Sequence, residues 1–364
     1  TKAEQVIAKR KEPLFGYQNE EPIYWEYSST NLSNRHLVIG GKSGQGKTYF
    51  IQSVLIQLIA QGQSALIIDF SSSYTQSQLN PKFLNVVGDR LEERIVYYEG
   101  FPINPFKRRE KLIAGKTFLE KETDTAARIQ NVFTSVYNFG PQQESAIYRA
   151  AKKCIEMYGE KATMELMLEV LQDLPDTSAG VIATVISKLS IFVDIDPFDY
   201  NSDFTWDDYF LEDGKVFIIQ FEGFDQDDTK KLMTEFILWD LLSYAQAGNV
   251  NKPLPIILDE AQNLDFSSNS PSEKILREGR KFGLSAWFAT QTFSNFNQAE
   301  RTVLENAATS IFFKPAESEL NLVAKKMDIT NLDELRKLQK GECIIQGQFM
   351  EGDILGDPKS VRIK

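Results

Sequence analysis

Residues 41–48 carry the strongest chemical signal in the sequence. They read Gly-Lys-Ser-Gly-Gln-Gly-Lys-Thr and match the phosphate-loop pattern G-x-x-x-x-G-K-[ST] in full. Glycine lets backbone N–H groups approach phosphate oxygens without Cβ clashes, and a helix N-terminus adds partial positive charge. We therefore expect Lys47 to bridge the β- and γ-phosphates of ATP and the Thr48 hydroxyl to bind Mg²⁺. The other predicted nucleotide-binding residues complete the loop: Gly41, Lys42, Ser43, Gly44, Gln45 and Gly46.

Two adjacent carboxylates, Asp259 and Glu260, follow the apolar run 254–258. Open α/β sheets bind ligands at the carboxyl ends of their strands, so these acids are expected beside the phosphate loop. We predict that Asp259 holds Mg²⁺ through water and that Glu260 polarises the water that attacks the γ-phosphate. The tandem pair favours hydrolysis that drives motion over kinase-type transfer. The alternative is a pair of solvated acids that cap the next segment.

Two further polar residues are candidates for catalysis. Gln291 ends the apolar run 285–290, and a polar residue at this place can touch the γ-phosphate in an ATPase with an extra strand between its two nucleotide motifs. Arg280 stands three positions before Gly283, in a helix that begins with a capping box at Ser270. Such an arginine could reach the phosphates of a neighbouring subunit. The alternatives are an ordinary strand-end glutamine and a solvated surface arginine.

The elements that position these residues follow from hydrophobic patterning. Short continuous apolar runs predict strands buried on both faces, as in a parallel sheet covered by helices; they lie at 36–39, 64–70, 94–98, 215–221, 254–258, 285–290, 310–314 and 342–346. Helical periodicity appears between them, as at 47–60 and 228–246. This alternation predicts a doubly wound α/β fold with a central, mostly parallel sheet.

Residues 118–194 interrupt that alternation with almost continuous helical periodicity. We interpret this as an all-α insertion that divides one α/β domain. The predicted organisation is an N-terminal arm or a few edge strands at 1–30, the first half of the core at 31–115, the insertion at 116–204 and the second half of the core at 205–364.

Composition excludes several classes of site. Apolar residues make up 42% of the chain and charged residues 25%, as in globular proteins. The two cysteines, Cys154 and Cys343, form no C-x-x-C pair, and His36 is the only histidine, which argues against thiolate zinc and His-rich metal sites. No apolar run is long enough to span a bilayer, and no charged leader precedes one, so we expect a cytoplasmic protein. The start at Thr1 allows a fragment of a longer protein.

In chain order, the phosphate loop, the Asp259-Glu260 pair, the helix with Arg280 and the strand that ends at Gln291 resemble the HerA/FtsK superfamily of ring ATPases. Residues outside the generic nucleotide motifs add to the resemblance: the RHLVI lead-in at 35–39, INPF at 103–106, FGPQQ at 139–143, GRKFGL at 279–284 followed by ATQ at 289–291, and LQKGECIIQG at 338–347. The resemblance covers about residues 31–350, and the GRKFGL…ATQ block is most similar to HerA. It implies a RecA-like (ASCE) P-loop ATPase core, ATP and Mg²⁺ as cofactors, and a homo-oligomer, in the form of a hexameric ring.

One segment departs from the HerA pattern. HerA relatives usually carry Asp-Pro-His-Gly-Glu-Tyr after the second strand, whereas residues 69–74 read Asp-Phe-Ser-Ser-Ser-Tyr and lack that glutamate. The Ile-Asp-aromatic-Ser context and the Glu278-Gly279-Arg280 segment also resemble DptH-like motors of phosphorothioation-linked DNA restriction.

Three functions remain open at this point. The first is a DNA-translocating or helicase-like motor that works in a DNA-processing or anti-phage restriction complex with other subunits. The second is a conjugation or type IV secretion ATPase that moves protein or nucleoprotein. The third is a non-motor nucleotide switch, which the tandem acids and a possible trans arginine disfavour.

The basic run after residue 106 is the candidate DNA contact. It contains Lys107, Arg108, Arg109 and Lys111, with Lys116 nearby. In the motor interpretation it faces a pore and contacts duplex phosphates without reading sequence. The net charge of −11 opposes nucleic-acid binding, so a local basic surface is required. The alternative is a solvated loop.

Overall fold

The computed structural model describes residues 12–30, 32–210, 212–347 and 359–362. Its strands are β1 (Leu14–Gln18), β2 (Glu21–Tyr24), β3 (Leu37–Gly40), β4 (Ala65–Asp69), β5 (Leu91–Ile95), β6 (Glu110–Ile113), β7 (Lys116–Leu119), β8 (Val216–Gln220), β9 (Leu254–Leu258), β10 (Leu284–Thr290), β11 (Thr309–Phe313), β12 (Glu342–Gln346) and β13 (Lys359–Arg362).

The helices connect these strands and cover both faces of the sheet. They are α1 (Lys47–Ile59), α2 (Pro81–Val87), α3 (Val96–Glu99), α4 (Glu122–Val136), α5 (Pro141–Tyr158), α6 (Met164–Gln172), α7 (Ala179–Ile195), α8 (Asp207–Phe210), α9 (Asp227–Gln246), α10 (Pro271–Glu278), α11 (Gln298–Leu304), α12 (Leu320–Lys326) and α13 (Leu332–Arg336). Throughout the described ranges, each helix is too short or too polar to cross a bilayer.

The described strands form one 11-stranded sheet and a separate hairpin. The order in the large sheet is β2-β1-β13-β12-β11-β3-β10-β9-β4-β8-β5, and β6 pairs with β7. The strands from β11 to β5 run parallel, whereas β12, β13, β1 and β2 extend the sheet as antiparallel edge strands. The predicted mostly parallel central sheet is confirmed. β10 lies between β3 and β9, so an extra strand does separate the phosphate loop from the paired acids.

Alternate residues of the central strands enter two hydrophobic cores. Leu37 and Ile39 of β3 pack on the α1 side with Phe50 and Leu55, while Val38 faces the opposite core. That second core contains side chains of the inserted helices and of α9. Burial of each side chain of this size stabilises the fold by about 1.5–3 kcal/mol. Because helices cover both faces of the parallel strands, both faces carry apolar residues.

The helical insertion begins later than predicted. Helices α4 to α7 lie within 116–204, but this range starts with β7, the second strand of the small hairpin. Two of the helices have side-chain caps, because Thr163 accepts from Leu166 N at the start of α6 and Ser178 accepts from Val181 N at the start of α7.

The strand predicted at residues 94–98 is wrong in position. The observed strand β5 covers Leu91–Ile95, and Val96–Glu99 form one helical turn. β5 is the edge strand of the parallel region and is only half-buried along its length. Its polar residues Glu92, Glu93 and Arg94 therefore replace the apolar run that the prediction required. At the opposite edge, β1 and β2 place the described part of the predicted arm in the sheet.

Candidate active site

The phosphate loop connects the carboxyl end of β3 to the first turn of α1. Gly41, Gly44 and Gly46 have φ values of +142°, +73° and +118°, in a region that side chains rarely adopt. A Cβ at Gly41 would lie 2.7 Å from the Cβ of Phe313. Glycine at these positions therefore gives the loop both its turn and its close contact with β11.

Two backbone hydrogen bonds hold the loop against the neighbouring strands. Lys42 N donates to Lys314 O at 3.0 Å, and Gly341 N donates to Gln45 O at 2.9 Å. These contacts come from the segments that follow β11 and precede β12. The cradle is therefore fixed from outside the motif, which reduces the reorganisation required to bind a phosphate.

Lys47 is the first residue of α1 and points back over the loop. Its Nζ donates to Gly41 O and, at 3.3 Å, to Lys42 O. Burial lowers the pKa of the Lys47 ammonium, while the carboxylates of Glu260 and Asp259 act in the opposite direction. The lysine and both predicted acids thus share one electrostatic environment. Thr48 follows on the same turn and is half-buried.

Asp259 follows β9 and lies beside the carboxyl end of β4. Its backbone N donates to Ile68 O at 3.3 Å, and its Oδ2 accepts from the Ser71 hydroxyl. Burial raises the pKa of Asp259 to about 7; the Ser71 hydrogen bond opposes this shift, and the charge of Glu260 adds to it. A nearby cation would lower that pKa, as expected for a carboxylate that holds Mg²⁺.

Asp69 organises the turn that supplies Ser71. Its carboxylate is buried and accepts from Ser73 N at 3.0 Å and Tyr74 N at 2.8 Å. Burial raises the pKa of Asp69, and these backbone hydrogen bonds oppose the shift. The segment that departs from the HerA pattern therefore contacts the candidate site through Ser71.

Both carboxylate oxygens of Glu260 accept hydrogen bonds from side-chain amides. Gln291 Nε2 donates to Oε1, and Gln262 Nε2 donates to Oε2. Gln262 is itself oriented by Thr290, whose hydroxyl donates to its Oε1 at 2.7 Å. Glu260 is only 9% exposed and has a φ of +51°, which is strained for a residue with a side chain. Backbone strain and amide contacts together define the position of this carboxylate.

The structure brings Lys47, Asp259, Glu260 and Gln291 to one edge of the sheet, as their positions after parallel strands predict. Sequence reasoning missed Gln262, Ser71 and Asp69. The one signal for Gln262 was its position two residues after Glu260, which alone does not distinguish it from a solvated amide.

Arg280 lies at the amino ends of the parallel strands, on the opposite side of the sheet from the phosphate loop. It belongs to a 3₁₀ turn, Gly279–Phe282, just before the amino end of β10, and its guanidinium donates to Ser33 O at 2.7 Å. β10 has seven residues, so Arg280 is about 20 Å along the strand from the phosphate loop of its own chain. Arg280 is exposed, and at this distance it cannot contact a nucleotide in the phosphate loop of its own chain.

The basic run does not form the open surface that we predicted. Arg109 is turned inward: it donates to Trp239 O and Ser243 Oγ, and it pairs with Asp240 at 2.8 Å. Its side chain is 13% exposed, so this structure corrects the assignment of Arg109 to DNA.

The other members of the basic run differ in their ion pairs and in their exposure. Arg108 pairs with Glu122 at 2.6 Å. Lys111 lies 3.4 Å from Glu120. Lys107 is exposed. The acids on α4 and before it therefore neutralise most of the charge on which the prediction depended.

The glycine cradle, Lys47 and the nearby carboxylates fit a nucleoside triphosphate with Mg²⁺. Glycines with positive φ allow backbone N–H groups of such a loop to turn towards phosphate oxygens. In the described parts of the chain, no group of three or more acidic, histidine or cysteine side chains could hold a metal by itself. Mg²⁺ here would need phosphate oxygens and water in addition to Thr48 and Asp259, which is its usual coordination beside a nucleotide.

The sequence that surrounds this site is similar to that of known proteins. Residues 26–241, more than half of the chain, match the family described as "Helicase HerA, central domain". The chain is 23% identical over 348 residues to the DNA double-strand break repair helicase HerA of Sulfurisphaera tokodaii, covering 88% of this chain and 64% of the relative. It is 19% identical to the DNA import protein CedB of Sulfolobus acidocaldarius, covering 94% of this chain and 53% of the relative. It therefore spans less than two thirds of these curated relatives.

Solved structures agree on the fold. VirB4 of Thermoanaerobacter pseudethanolicus has a TM-score of 0.75 at 15% identity, covering 97% of this chain and 96% of the other. The plasmid coupling protein TrwB in complex with ADP and Mg²⁺ has a TM-score of 0.67 at 14% identity, covering 100% and 92%. Together with the sheet order, these similarities confirm the predicted RecA-like P-loop ATPase core.

Proposed function

Because this chain belongs to the HerA central-domain family, we propose that it hydrolyses ATP and uses the energy to move duplex DNA. The observation that carries the proposal is the meeting of a complete phosphate loop with Asp259, Glu260 and Gln291 at one sheet edge. The charges of Asp259 and Glu260 both act on the pKa of the Lys47 ammonium, which supports a single site for one triphosphate.

The residues have distinct roles in this proposal. Backbone N–H groups of the loop and the Lys47 ammonium hold the phosphates and stabilise the charge that develops on them. Thr48 and Asp259 would hold Mg²⁺, which would neutralise phosphate charge when bound. Glu260 orients and polarises the attacking water. Gln291 donates to Glu260, so it can couple the position of this carboxylate to the presence of the γ-phosphate.

Hydrolysis is proposed to occur at subunit boundaries of a homo-oligomer, most simply a hexameric ring. Arg280 supports this because it is exposed and lies far from the phosphate loop of its own chain. In a ring, Arg280 of one subunit would approach the γ-phosphate bound by the next. The wider role is proposed to be DNA processing or anti-phage restriction, in a complex with further subunits.

Duplex DNA is the proposed substrate since the curated relatives that match most of this chain are described as a DNA repair helicase and a DNA import protein. The competing function is a conjugation or secretion motor that moves protein or nucleoprotein. The two differ in their response to naked duplex DNA.

The test is the ATPase rate with and without long duplex DNA of random sequence, together with the mass of the assembly. A ring whose rate rises with duplex DNA supports the proposal. A proven ring that hydrolyses ATP but neither binds nor responds to DNA would favour the secretion-type motor. A protein that binds ATP without turnover, in any assembly, would contradict both and leave a nucleotide switch.

A further inference from the structure

A second cluster of basic residues lies outside the nucleotide site. Arg301 of α11 and Lys325 and Lys326 of α12 line a cleft of about 260 Å³, with Phe293 and Gln298 on its walls. One acid, Glu305, also lines it. We refer to this group, defined by Arg301, Lys325 and Lys326, as the basic cleft. Its local charge is positive, although the chain as a whole carries −11.

Glu305 is the one acid among the residues that line the basic cleft, and in the described ranges it forms no salt bridge with the cations. Across the described ranges, neither Arg301 nor either lysine forms a salt bridge, and the buried Nε of Arg301 has no hydrogen-bond partner. Burial lowers the pKa of the Lys326 ammonium, which Glu305 only partly opposes. Arg301 does donate through one terminal nitrogen to Ser294 O at 3.4 Å. This contrasts with Arg108, Arg109 and Lys111, each of which pairs with an acid.

Cationic donors without a salt-bridge partner favour an anion. Arginine offers a fork of N–H groups and lysine a point charge, and both bind phosphate oxygens. A chain of net negative charge repels polyanions at long range, so a phosphate-bearing ligand must be held by a local group of this kind.

The basic cleft is also connected to the nucleotide site. Its wall residue Phe293 stands two positions after Gln291, which donates to Glu260. The buried carboxylate of Glu319 accepts from Phe293 N at 2.7 Å and from Ser294 N at 2.9 Å, so this short loop is held as a unit. Arg301 contacts the same loop through Ser294 O. A displacement of Arg301 would therefore reach Gln291 through three residues of backbone.

We propose that the basic cleft binds a backbone phosphate of DNA and that its occupancy is transmitted to Glu260 through the loop at residues 291–294. The choice of DNA rests on the proposed function. The contact is to phosphate alone, so it reads no sequence. It replaces the basic run at 107–111 as the main surface for DNA in this chain.

The test compares the full chain with the triple variant Arg301→Gln, Lys325→Gln, Lys326→Gln. The control removes three charges elsewhere, through Lys153→Gln, Lys161→Gln and Lys252→Gln. Fluorescence anisotropy measures binding of duplex DNA at several salt concentrations. The slope of log K against log salt should become shallower by about 0.9 for each phosphate that the triple variant no longer binds, and the ratio of ATPase rates with and without DNA should fall towards one. The control should leave the slope of the wild type unchanged.

A second variant avoids any damage to packing. Lys325 is exposed, so Lys325→Glu leaves the core intact and should weaken DNA binding in the same direction. An unchanged salt slope in both variants, with a wild type that binds DNA, overturns the inference and leaves the proposed function standing. Wild-type hydrolysis of ATP without DNA binding overturns both. Thermal stabilisation by inorganic phosphate that the triple variant loses, with DNA binding unchanged, would assign the cleft to free phosphate and overturn the DNA assignment.

Discussion

Gln291 donates a side-chain hydrogen bond to Oε1 of Glu260, although the two residues are 31 positions apart in the chain. The contact crosses from the end of β10 to the end of β9. With Gln262 on Oε2, it leaves Glu260 with no oxygen free of an amide donor in this conformation. Each carboxylate oxygen keeps a second lone pair that can accept a hydrogen bond from water. Of the two amides, Gln291 is exposed, whereas Thr290 fixes Gln262.

The first prediction concerns this support of Glu260. Gln262→Ala should lower kcat by roughly 10-fold or more, because a catalytic group displaced by about 1 Å loses much of its effect. Thr290→Val should change kcat in the same direction. The double variant should lose no more than Gln262→Ala alone, since both residues act through one hydrogen bond to Glu260. Steady-state kinetics and ATP binding check this; additive losses in kcat would show that Thr290 and Gln262 act separately.

The second prediction concerns Arg109. Arg109→Ala should lower the free energy of unfolding by ~3–5 kcal/mol, because it removes the cation paired with Asp240 of α9 in a largely buried setting and leaves that carboxylate with only the Trp206 Nε1 donor. Lys107→Ala, at an exposed position two residues earlier, should change it by less than ~0.5 kcal/mol. Chemical denaturation measures both. Equal stability of the two variants would return Arg109 to the surface role that the sequence suggested.

Much of the site follows from sequence because its parts are local. The phosphate loop is a continuous motif, and the acids and Gln291 each follow an apolar strand. Parallel strands end at one edge of a sheet, so residues after β3, β9 and β10 converge without any knowledge of tertiary contacts. Continuous apolar runs predicted most central strands correctly for the same physical reason: burial on both faces.

The remainder depends on contacts between distant segments. Arg109 and Asp240 are 131 positions apart, so a basic run looks exposed until α9 is placed against it. Gln262 acquires a role only when β9 and β10 are neighbours. β5 was misplaced because an edge strand tolerates polar residues that obscure the apolar pattern. The cations of the basic cleft come from α11 and α12, and Arg301 lies 24 positions before Lys325.

The third prediction concerns Arg280. Arg280→Ala should keep nucleotide binding and lose much of the ATPase rate, since arginines that act in trans contribute ~10³–10⁵ in rate in other phosphoryl-transfer systems. Mixing Arg280→Ala with Glu260→Gln subunits should restore part of the rate, because some boundaries then combine an intact arginine with an intact glutamate. If both variants assemble and the mixture recovers nothing, Arg280 does not act across the boundary.

The fourth prediction concerns pH. Burial lowers the pKa of His36 to about 4, and its Nδ1 accepts from Ala286 N at 3.0 Å. A histidine with a lowered folded pKa contributes stability that is present above the unfolded pKa of about 6.5 and is lost as pH falls towards the folded value. Because His36 is the only histidine of this chain, one imidazole ¹³C resonance reports it. Its midpoint should lie near 4; a midpoint near 6.5 in the folded protein would contradict the buried, neutral assignment.

The most direct test of the account is the rate of ATP hydrolysis by the Glu260→Gln variant, measured alongside its affinity for ATP with Mg²⁺. Lys47→Ala serves as the reference, because loss of the ammonium should abolish hydrolysis by removing charge compensation at the phosphates. For Glu260→Gln we predict retained ATP affinity and a rate lowered by ~10²–10⁴, since only the group that polarises water is lost. Hydrolysis at the wild-type rate by either variant, in folded protein, would contradict the assignment of this sheet edge as an ATPase site.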